Sequence, residues 1–241
     1  MNMIKRYFWS FLQKIIELFG RFQKNGAAVL MFHHVSDDEA HWRDASISIR
    51  QTSFEALIDS LIQSGAVFAP VTDLEKAVGR RAVTVTFDDM FFSAYQNALP
   101  VLEENNIPYC VFISDSFIGK EGYLSEKELG ELARRPLCTV GFHAKNHLMM
   151  RALGSDEVKA ELDASALEAL LGKKAEYLAF PYGSLYACGF QKAKAAKGRF
   201  RYAFSTVSAR CTRFWVKRTP YYLPRINVCE SNRMSVLQRL R

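Results

Sequence analysis

The chain has 241 residues, 49 % of them apolar and 24 % charged, with 32 Lys and Arg against 25 Asp and Glu for a formal net charge of +7. That length and composition suit one folded domain with a full core and argue against disorder. The positive balance favours anionic partners, but it comes with no zinc-finger spacing, RNA-binding aromatic signature or dense basic run, so no nucleic-acid partner is expected. The five cysteines, Cys110, Cys138, Cys188, Cys211 and Cys229, are widely spaced and form no CxxC pair. This excludes a cysteine zinc motif, makes a disulfide framework unexpected, and suits a reducing compartment.

Residues 1–25 read as an amphipathic helix set apart from a domain over 26–241. Ile4, Phe8, Phe11, Leu12, Ile15, Leu18, Phe19 and Phe22 recur at helical spacing, with Lys5, Arg6, Lys14, Arg21 and Lys24 among them. Gln13, Lys14 and Glu17 interrupt the apolar run, and no small-residue cleavage site follows, so a signal peptide is not expected. The run is also shorter than the roughly 20 residues that span a bilayer. Two readings stay open: a helix lying on an anionic membrane surface, or one packed on the domain or on a second subunit.

Beyond it, strand and helix patterns alternate. The strand candidates are 27–32, 67–69, 82–87, 109–113, 138–142, 177–180, 202–206 and 221–228. Several are continuously apolar, as strands covered on both faces are. Ser53 is the predicted cap of a helix holding Phe54, Leu57, Ile58, Leu61 and Ile62. Ser125, with Glu128 three residues on, forms a capping box. A third helix is predicted over 155–171, ended by Gly172. Such alternation implies an α/β fold with a largely parallel sheet, and periodicity does not separate an open sheet from a closed barrel. In either, sites form at the C-terminal ends of strands.

Chemically capable residues fall at those ends. Strand 82–87 meets Asp88 and Asp89, a pair that can divide its labour between binding a cation and accepting a proton. Strand 138–142 meets His143 and His147, whose four-residue spacing suggests a helical turn presenting both to one ion. One carboxylate and two imidazoles leave coordination positions open, as catalytic metal sites do. Pro181, Tyr182 and Gly183 form a bend whose backbone N–H could face an oxyanion. Arg225 interrupts an apolar strand and needs a carboxylate partner, for which Asp88 is the candidate. His33, after the first strand, is a candidate proton donor or substrate contact, and His34 a satisfied polar residue.

MFHHV, TFDD, HxxxH, PYG and LPRINV, in this order over 29–228, resemble the polysaccharide deacetylase family, the NodB-homology domain of carbohydrate esterase family 4. The resemblance implies a distorted (β/α) barrel of about seven strands, carrying the amphipathic N-terminal helix as an addition. It implies Asp89, His143 and His147 as ligands of a divalent metal, zinc first. Co2+, Ni2+ and Mn2+ also suit such ligands. Asp88 would be the base activating water at the metal, supported by Arg225 and His33, with Tyr182, Pro181 and Met90 at the substrate. The implied activity is hydrolysis of an N- or O-acetyl group from a sugar in cell-surface polysaccharide or glycolipid metabolism. The saccharide could be lipid- or nucleotide-linked, and the enzyme cytoplasmic, peripheral on the inner membrane face through residues 1–24. The alternatives are a non-catalytic sugar-binding or interaction relative, or a metal amidase on a non-sugar substrate. Four positions depart from the family pattern. Met90 replaces the usual Gly, and its bulk is expected to reshape the groove. Ala144 replaces a Ser or Thr, removing a hydrogen bond behind the metal site. Ala179 replaces an Arg, and no histidine follows His147 to serve as general acid.

Overall fold

The structure is a computed structural model, and residues 3–21, 23, 25–80 and 82–240 are described. Among the described residues ten strands occur in chain order: β1 (Ala28–Phe32), β2 (His34–Val35), β3 (Ser48–Ile49), β4 (Val67–Phe68), β5 (Ala82–Phe87), β6 (Tyr109–Ile113), β7 (Cys138–Phe142), β8 (Tyr177–Ala179), β9 (Tyr202–Phe204) and β10 (Ile226–Asn227). Seven form a parallel sheet in the order β10-β1-β5-β6-β7-β8-β9, β4 adds to β5, and β2 pairs with β3 separately. With helices around it, this is a distorted (β/α) barrel.

Side-chain alternation sorts the residues. Leu30, Phe32, Val83, Val85, Phe87, Tyr109, Val111, Ile113, Val140, Phe142 and Leu178 pack with the helices in the larger core. The opposite parity, including Val29, Cys110, Phe112, Tyr177, Ala179, Tyr202 and Phe204, forms a second cluster inside the barrel. The same period of two sends Thr86 and then Asp88 inward from β5, and His143 inward from the end of β7.

The predicted strand 221–228 is only partly regular. Leu223 bridges Phe204 of β9, and Ile226 and Asn227 pair with Leu30 and Met31 of β1. Pro224, which has no N–H to donate, separates the two pairings. One segment thus joins the two edges of the sheet and carries Arg225 into the interior. The strands predicted over 177–180 and 202–206 are likewise shorter, ending where the chain turns into the site loops.

The helices differ in detail from expectation. Ser53 does not cap its helix, which spans Gln51–Gln63 with Arg50 at the N-cap. Its hydroxyl instead donates to Glu230 Oε1 at 3.0 Å. Ser125 forms the expected capping box with Glu128. The helix predicted over 155–171 is two, Ser155–Glu161 and Ser165–Leu171, the second ended by Gly172 at φ 64°. They separate where the Glu161 carbonyl accepts from Lys145 N–H at 2.9 Å and is diverted from the helix.

The N-terminal helix (Met3–Arg21) packs on its own domain. Trp9, Leu12 and Ile16 meet the core. Gln13 Oε1 accepts from Leu185 N–H at 2.9 Å, and Glu17 Oε1 from Ser208 N–H at 3.2 Å. A Cβ at Gly20 would lie 2.6 Å from the Ala209 side chain, so this crossing requires glycine. Tyr7, Phe8, Phe11, Leu18 and Phe19 stay exposed on another face. Phe22 and Lys24, which the sequence assigns to this helix, lie outside the described residues. Among the described residues, no helix is long and apolar enough to cross a membrane. All five cysteines are free.

Asp115, just after β6, has both carboxylate oxygens buried without a hydrogen-bond partner. Burial, opposed by Lys145 and reinforced by Asp163 and Glu161, pushes its carboxyl up to about 6 from 3.8. The folded state therefore binds this proton more tightly than the unfolded chain. The stability it contributes is complete below the unfolded value and is lost as pH rises through the folded one. Asp115→Asn is expected to raise the thermal midpoint at about pH 8 and to leave it nearly unchanged at about pH 4, as followed by circular dichroism at both.

Candidate active site

Asp88 leaves β5 with its N–H bonded to Phe32 O at 2.9 Å. Its side chain is 2 % exposed, and its two oxygens accept from Arg225 Nη1 and Nη2, each at 2.6 Å. This two-pronged geometry is the strong form of the guanidinium–carboxylate contact. Arg225 is fully buried. It also donates from Nε to Ser205 O at 3.1 Å and lies over the Phe112 and Phe204 rings. Expected within the catalytic set, it does not line the groove and instead contacts Asp88. Burial works against the Asp88 anion, but Arg225, then His143 and His33, outweigh it and hold the carboxyl well below the usual range.

Asp89 faces the other way. Its Oδ1 is buried with no hydrogen-bond partner, 3.4 Å from His143 Nε2 and 3.2 Å from His147 Nε2. The three candidate ligand atoms lie within 4.8 Å of one another. Tetrahedral zinc with bonds near 2.0–2.1 Å separates its ligand atoms by about 3.4 Å, so the donor set and spacing fit a divalent cation. His143 is 2 % exposed and donates from Nδ1 to Ala179 O at 2.8 Å. That fixes its tautomer and leaves the Nε2 lone pair for the site. Burial, opposed by Asp88 and Asp89, lowers the His143 pKa and favours the neutral imidazole a metal requires.

The two histidines do not share a helical turn. Residues 143–149 form a loop in which Ala144 (φ 66°) and His147 (φ 57°) are left-handed, and these reversals bring the rings to 5.0 Å. Asp89 (φ 63°), Met90 (φ 46°) and Tyr182 (φ 57°) are also left-handed. Among the described residues, only Asn106 shows such a φ without glycine elsewhere. Each costs roughly 1–3 kcal/mol, and such strain gathers at functional sites.

A groove of about 400 Å³ opens on the site, lined by His33, Asp44, Asp88, Asp89, Tyr182 and Asn227 among others. His33, 11 % exposed, holds Nε2 4.0 Å from Asp88 Oδ2. Burial lowers its pKa against the pull of Asp88 and Asp89. Tyr182 is 57 % exposed, with its ring against His147. Its backbone N–H has no protein acceptor among the described residues. Gly183 is required here, because a Cβ would lie 2.8 Å from Thr206 N.

Two expected substrate residues are elsewhere. Met90 is 1 % exposed and packs into the core behind Asp89, so its bulk does not reshape the groove. Pro181 is buried and sets the bend without lining the groove. His34 turns to the Phe91 ring, away from the site. Sequence reasoning missed Ser114 and Glu161, which hold the histidine loop from behind. Ser114 Oγ donates to Ala144 O at 2.9 Å. The Glu161 carboxylate accepts from Asn146 and Leu148. Neither residue carries a local motif. The only trace of Glu161 is a helix pattern too long for the helix that forms.

Comparison with known proteins agrees with this architecture. The polysaccharide deacetylase family pattern matches residues 75–199. The poly-β-1,6-N-acetyl-D-glucosamine N-deacetylase of Staphylococcus aureus is 27 % identical over 87 % of this chain and 81 % of its own. The fold is shared with the Streptococcus pyogenes deacetylase PplD in complex with acetate, at TM-score 0.74 and 18 % identity over 90 % of this chain and 98 % of that one. IcaB from Ammonifex degensii superimposes at TM-score 0.72 and 24 % identity, with the same coverage. The match extends over more than half of the chain, and the protein belongs to the polysaccharide deacetylase family.

Proposed function

We propose that this protein is a metal-dependent deacetylase of an N-acetylated aminosugar polymer or its precursor, with β-1,6-linked N-acetylglucosamine the first substrate to test. The observation that carries the reading is the division between two adjacent carboxylates. Asp88 is locked to Arg225 and kept ionised, while Asp89 turns an unpaired oxygen to two imidazoles. The relative from S. aureus supplies the sugar.

Asp89, His143 and His147 would hold the cation, most readily Zn2+. When bound, it supplies Lewis acidity and lowers the pKa of water at the site. Asp88 accepts the proton from the attacking water. Arg225 fixes its orientation and, being fully buried, excludes solvent from behind. The Tyr182 N–H is available to the oxygen that gains charge at the tetrahedral stage. His33 is the groove imidazole outside the ligand set; its Nε2 is 4.0 Å from Asp88 Oδ2, beyond a direct hydrogen bond, so it would pass the proton toward the departing nitrogen through a bridging water.

The reading extends to location. Lys5, Arg6 and Lys14 are exposed on the N-terminal helix beside the uncovered aromatic face, while Glu17 is engaged inward. An anionic bilayer surface matches both features. The free thiols suit the cytoplasmic side, where a lipid- or nucleotide-linked sugar would be met.

Acetate release from N-acetylglucosamine oligomers, with added Zn2+ and with chelator, tests the activity. Metal-dependent release is expected. Asp88→Asn is expected to lower turnover by about 100- to 10,000-fold with metal affinity retained, whereas Asp89→Asn loses the metal. Absence of release from every acetylated sugar by metal-loaded protein would exclude the sugar reading. For the membrane, co-sedimentation with vesicles containing phosphatidylserine is expected, weakening with salt. It should disappear when Phe8, Phe11 and Phe19 are changed together to Ser. Equal sedimentation of the two proteins would remove that reading.

A further inference from the structure

We infer that Glu161 is a positioning residue for the metal site, setting the separation of His143 and His147 by holding the backbone between them. This rests on the reading of Asp89, His143 and His147 as ligands.

Glu161 closes the helix Ser155–Glu161, whose Asp156, Glu157 and Lys159 are exposed, yet it is itself 3 % exposed. Among the described residues no cation pairs with it. A carboxylate in that position is costly unless its oxygens are hydrogen-bonded. Its donors are Asn146 N–H at 2.8 Å and Leu148 N–H at 3.1 Å on Oε1, and Asn146 Nδ2 at 2.9 Å on Oε2. Its own carbonyl accepts from Lys145 N–H at 2.9 Å. The bonds of this one residue therefore go to the three positions that flank His147 and separate it from His143.

Those positions need an external acceptor. The loop is neither helix nor strand, and with Ala144 and His147 left-handed it cannot satisfy its N–H groups by a regular pattern. Ala144 offers no hydroxyl to help, and Ser114 holds only the carbonyl side of the loop. Ser114 and Glu161 thus grip opposite sides of one peptide run, and the N–H side depends on Glu161. Without it, the loop would relax and His147 would leave the arc shared with Asp89 and His143. Groups behind metal ligands typically change affinity by about 10- to 100-fold when removed.

The test is titration of the full chain with Co2+, reading both affinity and the visible ligand-field spectrum. Glu161→Ala is expected to weaken binding by about 10- to 100-fold and shift the spectrum. Glu161→Gln keeps an acceptor for both backbone N–H groups, and an Asn146 amide flip can meet its NH2, so it should restore binding to within a few-fold. Leu167→Ala, a core truncation in the following helix, should lower thermal stability but leave Co2+ affinity unchanged. If Glu161→Ala does not fold, Asn146→Ala carries the test from the loop side, with about threefold weaker binding expected. Wild-type affinity in Glu161→Ala, or in Asn146→Ala where that variant replaces it, would overturn the assignment. So would an equal loss in Leu167→Ala. Failure of the wild type to bind Co2+ would instead remove the metal reading on which the inference rests.

Discussion

The bidentate pair between Arg225 and Asp88 is the constraint around which the site is arranged. Both residues are almost entirely buried, and each ion costs several kcal/mol to desolvate unless its bonds are complete. The barrel completes them. Thr86 and Ser205 meet the guanidinium from β5 and from the end of β9, and two phenyl rings flank it. The segment that delivers Arg225 also joins β9 to β1, so barrel closure and orientation of the Asp88 carboxylate are one structural event. Removing either partner would leave the other charged and dry.

Once Asp88 is turned inward, Asp89 must turn away. Its left-handed φ continues in Met90, whose side chain anchors the turn in the core. The same pattern recurs at Ala144, His147 and Tyr182: strained backbone at the strand ends, held by well-bonded neighbours. Ala179 O orients one imidazole, Ser114 and Glu161 hold the loop of the other, and Thr206 closes over Gly183. Rigid strands thus place residues to within a loop, and buried polar groups fix them within it.

This division explains what could be read in advance. The strand ends and the candidate Asp88–Arg225 partnership follow from alternation and from the cost of burying charge, both visible in linear order, whereas the choice of Asp89 over Asp88 beside the two histidines came from the family resemblance. The route by which His143 and His147 converge was not visible, because i, i+4 spacing suggests a helix and nothing local announces two left-handed residues. Met90 was misplaced for the same reason: a departure from a motif tells that something changed, not which way the side chain points. Glu161 sits at the end of a helix pattern that seemed to run on to Leu171, and its burial depends on a loop 13 to 16 positions away.

A double-mutant cycle on the metal-free protein tests the central claim most directly. Asp88→Asn, Arg225→Met and the double variant would be unfolded in urea. The account predicts that each single change costs about 3–5 kcal/mol, because each strands a buried partner. The double variant should lose markedly less than their sum. Losses that simply add, or single variants as stable as the wild type, would show that the pair does not organise the barrel interior and would contradict the account.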